Sequence, residues 1–313
     1  MAHKYHALRG SALLSALFIM TLVAIAATAM SLHLQLDIYR TRLTILSDKM
    51  YLASQAVSFW AMDRLHTKNL IVSNVDAEGK LEEFPKNLQQ IYPGITIRGG
   101  LYDLQARFNL NNVQDRKYRV SFLKLLEQIL PKTNAAQRRL LVDATVNWIT
   151  PYTLGQGQDN FLTYYLQQHP PYLPSHFPMQ SVSEFRLLQG VDAAIYQTLL
   201  PYVTALPEVT PINVNTAAKP VLRILGNGLN DTQVNTFIEA RQQKTLDNKN
   251  LIALLQRFDI PREQITLESQ YFLSVAITKA EGLTFINYTV IRRSKDKNGN
   301  LIVSIINESL NTL

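Results

Sequence analysis

The chain opens with an uneven distribution of charge. No charged residue lies between Arg9 and Asp37, and Ser11 to Leu32 is apolar or small almost throughout. That stretch matches the roughly 20 residues a helix needs to span a bilayer. After His33 the pattern changes. Leu36, Tyr39, Leu43, Leu46, Met50, Ala53, Val57 and Trp60 recur in alternating steps of three and four, with Asp37, Arg40, Arg42, Asp48 and Lys49 between them. This is one face of an amphipathic helix. The pattern predicts one helix from about Ser11 to about Leu65, roughly 80 Å long at ~1.5 Å per residue. Lys4 and Arg9 precede the apolar run, which keeps residues 1–10 cytoplasmic and sends the rest across the membrane. A cleaved secretory signal is the competing reading, with Ala24-Ile25-Ala26-Ala27 as its cleavage region.

Residues 66–92 are polar, with a loop signal from Asn74 to Lys80. Pro93-Gly94 marks a turn, Ile95 to Arg98 a strand, Gly99-Gly100 a turn, and Leu101 to Phe108 a second strand closed by Phe108 to Asn112. From Val113 to about Leu206 the period is helical, with amphipathic segments at Arg119–Leu130 and Asn134–Trp148. Thr150-Pro151 ends the second, and 152–178 reads as a long loop. Ser183–Leu188 resembles a helix start, and a further helix runs from about Asp192 to Leu200. Thr216 is a plausible N-cap for a short helix carrying Pro220 in its first turns. Leu225 to Leu229 forms a hairpin between that helix and helices at Thr232–Gln242 and Leu251–Arg257. The chain ends in two strands, Phe285–Arg293 and Leu301–Ile306, joined across Asp296-Lys297-Asn298-Gly299. The expected fold is α+β. A long N-terminal helix packs on a small antiparallel sheet built from the early and terminal strands, with a large helical block inserted between them.

Composition adds little to this picture and removes some chemistry. Of 313 residues, 47% are hydrophobic and 18% charged, so most of the chain should fold. Cysteine is absent, which excludes disulfides and thiolate metal sites. The net charge of +7 is spread along the chain, with local runs at Arg116-Lys117 and Arg292-Arg293-Ser294-Lys295. Spread charge reads as a solvated surface, although it leaves nucleic acid open as a partner. His169 and His176 lie in a Pro-rich loop without a carboxylate at ligand spacing. No nucleophilic triad or carboxylate pair stands out, and no enzymatic activity is expected.

Basic residues, a glycine, then an apolar helix that turns amphipathic resemble a type IV pilin or pseudopilin. The resemblance implies that a prepilin peptidase cuts after Gly10 and methylates the amine of Ser11. Most pilins carry Glu at the fifth mature position, read in the family as neutralising the amine of the neighbouring subunit. Here that position is Ser15. An unpartnered carboxylate at membrane depth costs about 2.5–3.5 kcal/mol, so a subunit with none above it does better without one. Ser15 is equally readable as a small helix-packing residue.

Absence of this Glu resembles pseudopilin K of the type II secretion system, and further motifs follow that family's order. Asp103-Leu104-Gln105-Ala106-Arg107-Phe108-Asn109-Leu110-Asn111-Asn112 is similar to its D-x-x-G-R-F-N-L-N-N segment, with Ala106 for Gly. Asn147-Trp148-Ile149-Thr150-Pro151 resembles D-W-I-D-P with both acids lost. Pro170-Pro171-Tyr172 and Ser181-Val182-Ser183-Glu184-Phe185-Arg186 resemble P-P-Y and S-V-S-E-L-R. Ile212 to Ala217 matches I-N-V-N-T-A, and Ser269-Gln270-Tyr271-Phe272 resembles S-x-Y-F.

The resemblance implies a minor pseudopilin at the filament tip, assembling with pseudopilins I and J above the major pseudopilin. Export substrates or the outer-membrane channel are further partners it suggests. The protein would be anchored once in inner-membrane lipid, with its bulk periplasmic. The implied division is a leader at 1–10, a transmembrane helix at 11–33, pilin-like helix and strands at 34–112, an inserted helical domain at 113–270 and closing strands at 271–313. It also implies calcium in the helical block, for which Asp159 and Asn160 are the candidate ligands. Residues 212–255 resemble a helix-hairpin-helix or SAM-like unit. That gives the alternative of a membrane-anchored DNA-binding protein of a competence-like system, gripping phosphate through Gly226, Gly228, Lys219, Arg223, Arg241 and Lys244.

Overall fold

The computed structural model describes residues 9–67, 79–153, 159–243 and 246–312. Helix α1 runs from Arg9 to His66, 58 residues, and no Pro or Gly interrupts it after Gly10. The chain forms two compact units, residues 1–52 and 53–313. In the first unit the apolar side chains of α1 lie open. Leu13, Leu14, Phe18, Met20, Ile25 and Met30 are each more than 60% exposed, and Tyr39 is 60% exposed. Hydroxyls in this stretch bond back into the helix, Thr21 to the Phe18 carbonyl and Thr28 to the Ala24 carbonyl, both at 2.8 Å. Their polar groups are thereby satisfied without water.

The second unit holds the last turns of α1 and every other element. In order these are β1 (Lys80–Glu83), β2 (Thr96–Asp103), β3 (Phe108–Asn109), α2 (Arg116–Ile129), α3 (Ala135–Ile149), α4 (Leu162–Leu166), α5 (Ala193–Leu199), β4 (Val203–Thr204), β5 (Ile212–Asn213), α6 (Lys219–Leu222), α7 (Asp231–Gln243), α8 (Asn248–Phe258), β6 (Ile265–Thr266), β7 (Tyr271–Ala280), β8 (Leu283–Lys295) and β9 (Leu301–Leu310). Five strands make one antiparallel sheet in the order β1-β2-β7-β8-β9. Since β2 pairs directly with β7, everything from residue 104 to 270 is one excursion from the sheet. Two short parallel pairs, β3 with β4 and β5 with β6, lie inside it.

Small side chains set how α1 lies on this sheet. Ala53, Ser54, Val57, Ser58, Ala61 and Leu65 are all fully buried. Opposite them is Gly99, where an added Cβ would stand 2.2 Å from the Val275 carbonyl oxygen and 2.9 Å from a Val57 methyl. The expected turn at Gly99-Gly100 is therefore absent. Gly99 pairs with Ala276 and Gly100 with Val275 in an unbroken strand, and Gly99 is required there for close approach of backbone and helix. The seam is partly polar. Ser58 and Thr289 hydroxyls meet at 2.9 Å, and Asn287 Nδ2 donates to Ser54 Oγ at 3.1 Å and to Glu308 at 2.6 Å. Farther along, Ala61, Leu65, Leu101, Phe272 and Ile291 form an apolar core.

Other boundaries also differ from the pattern. The strand expected to reach Phe108 stops at Asp103, whose side chain caps a 3-10 turn over Leu104–Ala106. Strand β7 goes unanticipated because buried small and polar residues weaken its alternation, and β1 lies in a segment expected to be loop. Part of that segment, 68–78, is outside the described residues, as is most of the leader. Helix α4 breaks up the expected loop at 152–178. The short helix is capped by Ala218 rather than Thr216, whose hydroxyl is used elsewhere.

Replacing Gly99 by Ala should destabilise the folded unit by about 1–3 kcal/mol, the usual range for overpacking. Urea unfolding of the detergent-solubilised protein would measure it. Gly94→Ala, with open space around an added Cβ but a φ of +75°, measures left-handed backbone strain without a clash for comparison.

Candidate functional site

A buried carboxylate joins the sheet to the helical block. Asp103, at the end of β2, is 1% exposed. Its Oδ1 accepts from the Gln105 amide at 2.8 Å. Its Oδ2 accepts from Asn213 Nδ2 at 3.0 Å, Thr216 Oγ1 at 2.6 Å and Ser269 Oγ at 2.7 Å. No cation is among these partners. Burial pushes the Asp103 carboxyl above its ordinary range, while the four donors pull it back.

Around this group, amide side chains stand in for strand partners. Asn111 donates to the Met179 and Leu206 carbonyls and accepts from the Met179 amide, all between 2.8 and 2.9 Å. Asn112 exchanges bonds with the Thr210 backbone at 2.8 and 3.1 Å. Asn109 donates to the Glu208 carbonyl at 2.8 Å and accepts from the Leu206 amide at 3.1 Å. Asn215 accepts from the Leu246 amide at 2.9 Å, and Gln105 reaches both Pro211 and Gln270. Each amide offers a donor and an acceptor like a peptide group, so it satisfies loop backbone that would otherwise be buried unpaired. Trp148 Nε1 donates to Glu184 at 2.9 Å, and Glu184 also closes the capping box at Ser181. Sequence motifs far apart in the chain thus touch: Asp103–Asn112 meets Ile212–Ala217, and Asn147–Pro151 meets Ser181–Arg186.

The described residues of the phosphate-gripping reading have partners within the chain. Arg241 Nη1 donates to the Val214 and Ala217 carbonyls at 3.2 and 2.7 Å, and burial lowers its affinity for a proton. Lys219 lies 3.1 Å from Asp231, which also pairs with Arg223. In the hairpin the Gly226 amide donates to Gln264 at 2.8 Å and the Gly228 amide to the Leu225 carbonyl at 2.9 Å. The Lys124 ammonium binds the Asn227 carbonyl. Lys244 lies outside the described residues.

Among the described residues the calcium candidates have few cation-binding neighbours. Asp159 Oδ1 is taken by Asn147 Nδ2 at 2.8 Å and by the Phe161 amide at 2.9 Å, and an imidazole faces Oδ2. Asn160 is exposed. Calcium wants six to eight oxygens with carboxylates prominent, and no group of three or more His, Asp or Glu among the described residues could hold an ion. Gly10 and Ser11 fall within α1, and Ser15 is exposed on it. Only this helix, among the described residues, is long and apolar enough to cross a membrane.

The cluster's roles were missed in the sequence reading, although its residues stood out as motifs. The available signal was polar: asparagines alternating with apolar residues, as in Phe108-Asn109-Leu110-Asn111 and Ile212-Asn213-Val214-Asn215. Such alternation mimics a strand with one wet face, yet all four asparagines are buried.

Comparison with known proteins places these motifs. Residues 106–208 match the family model for type II secretion system protein K. Type II secretion system protein K of Klebsiella pneumoniae is 34% identical over 256 residues, covering 76% of this chain and 74% of that protein. The protein of the same description from Pseudomonas aeruginosa is 31% identical, covering 56% and 54%. Among solved structures, a chain of the GspK-GspI-GspJ complex from enterotoxigenic Escherichia coli superposes with a TM-score of 0.63. It is 20% identical, and the match covers 88% of this chain and all of that one.

Asp103→Ala should cost about 3 kcal/mol or more in stability, because it strands several buried donors at about 1–3 kcal/mol each. The pH response has a defined sign. A carboxyl raised on folding stabilises the fold most below its unfolded value and loses that contribution as pH rises through the folded one. Asp103→Asn should remove this increment, flattening the melting-temperature profile over the acid range relative to wild type.

Proposed function

This chain belongs to the type II secretion system protein K family and is a minor pseudopilin, and we propose that it occupies the tip of the pseudopilus. The observation that carries this reading is the excursion from β2 to β7, which sets a whole helical block on a pilin-like frame. A filament repeats its subunits at short axial steps, so a block this size would collide with the next copy. At the tip there is no next copy.

Supporting features lie in α1. Its open apolar stretch is suited first to lipid and then to the matching helices of other subunits. Prepilin peptidase cuts after Gly10 and methylates Ser11, and the helix waits in the inner membrane with the basic end cytoplasmic. Ser15 puts no carboxylate at membrane depth, which suits a subunit with no neighbour above. Pseudopilins I and J are the proposed partners, since the solved relative is a complex with proteins of those names. The major pseudopilin continues below, and the block faces exported proteins or the outer-membrane channel. Residues 212–255 act as a helix-hairpin-helix-like protein scaffold, with the block bounded near residues 113 and 270. The role is structural rather than catalytic.

Mass spectrometry of the native protein should find an N-terminus of N-methyl-Ser11, whereas a start near residue 28 would mean a cleaved secretory signal. Immunogold labelling of sheared pseudopili should mark one end only. Label along the shaft would sink the tip assignment.

A further inference from the structure

The two edges of the five-stranded sheet are built differently. At one edge, β1 is four residues long, Lys80, Glu82 and Glu83 among them, and its pairing with β2 slips between Lys80 and Glu82. Glu82 is also tied to Arg64 of α1 at 2.8 Å. Shortness, charge and irregular pairing are usual means of closing a sheet edge to further strands. At the other edge, β9 is ten residues long and contains no Lys, Arg or Pro. Its one charge, Glu308, accepts from Gln55 Nε2 of α1 at 2.5 Å and from Asn287 Nδ2 at 2.6 Å. A single bulge at Ile306 interrupts the pairing with β8 and leaves Leu301–Ile305 in regular register.

Among the described residues no strand pairs with the outer side of β9. The peptide groups on that side form a row of donors and acceptors whose spacing another extended backbone matches. Apolar side chains flank the row: Ile302, Ile305, Ile306 and Leu310 are each more than 40% exposed. Ile305 pairs with Ile291, which is buried in the core beneath α1. On that face α1 shows Phe59, 65% exposed and one turn from Gln55, the residue that reaches Glu308 on this strand.

These features select an occupant. The row of peptide groups calls for an extended segment. The lack of a free charge along β9 calls for an uncharged one, since a charge buried against it would go unpaired. Ten residues fall short of the about 20–30 a side found in stable interfaces, so the segment must belong to a chain already held alongside. Helix α1 provides that hold, because the helix that walls this edge is also the one suited to packing against other subunits. We propose that β9 is the edge to which a neighbouring pseudopilin adds an extended, uncharged strand, continuing the sheet across the subunit boundary. The proposal rests on the reading that this chain packs through α1 with other pseudopilins, and it does not depend on the tip position.

Site-specific photocrosslinking tests it. The full-length chain is co-expressed in one membrane with pseudopilins I and J and the major pseudopilin, with benzoylphenylalanine in place of Ser304 on β9 or of Leu17 in the apolar half of α1. Light should join both probes to a pseudopilin. Adding Ile302→Lys and Ile306→Lys should cut the yield from position 304 about tenfold and leave the yield from position 17 unchanged. In the purified assembly, amides of Leu301–Ile305 should exchange hydrogen more slowly than in the chain alone, a readout that needs no lysine variant. A crosslink from position 17 with none from position 304 overturns strand addition while leaving the assembly reading intact, and failure of both probes overturns the two together. A position-304 crosslink to a second copy of this chain, a yield unmoved by the lysines, or unchanged exchange at Leu301–Ile305 also overturns the proposal.

Discussion

A carboxylate cut off from water sits where the sheet hands the chain to the helical block. Taking an ionised group out of water costs several kcal/mol even after relaxation, and Asp103 meets that cost with donors rather than with a cation. Those donors come from three places in the sequence: the 3-10 turn after β2, the Ile212–Ala217 segment, and Ser269 just before β7. The excursion therefore leaves and re-enters the sheet through the same few ångströms. Without that closure, β2 and β7 could still pair, but the intervening elements would lack a defined base.

The asparagines extend this logic outward. Between its helices the block runs through loops, and short parallel pairs such as Phe108–Asn109 with Val203–Thr204 give them few ladder bonds. Buried loop backbone needs partners. Side-chain amides supply them at Met179, Leu206, Thr210 and Leu246. Such bonds are directional, so they fix the path of loops that apolar packing alone would leave free. The apolar core around Phe108, Phe122 and Phe185 adds cohesion, with Phe108 and Phe122 stacked at 5.4 Å.

Much of the fold was legible because periodicity is local. Helix α1, helices α2 and α3, and the β8–β9 hairpin across Asn298-Gly299 all follow from spacing and turn chemistry. What escaped depended on contacts remote in sequence. Gly99-Gly100 reads as a turn until Val57 and Val275 are found against it. Thr216 reads as a cap until Asp103 claims its hydroxyl. Arg241 reads as a surface cation until it is found donating to carbonyls inside the block. The same limit applied at the candidate site: Asp159 was visible, but the ring of His176 that faces it at 3.6 Å is brought there only by the fold. The apolar first half of α1, by contrast, needs no tertiary partner to be recognised, since its signal is the absence of charge.

The central claim is that the Asp103 joint holds sheet and helical block as one cooperative unit, so that the block stands firmly on its pilin-like base. Hydrogen exchange of the full-length protein in detergent, comparing wild type with Asp103→Asn, tests it most directly. The account predicts that amides of Ile212–Ala217 and of the first residues of β7 lose protection together, while those of α3 stay protected. Unchanged protection in Ile212–Ala217 would contradict it, because the block would then be held by something other than this carboxylate.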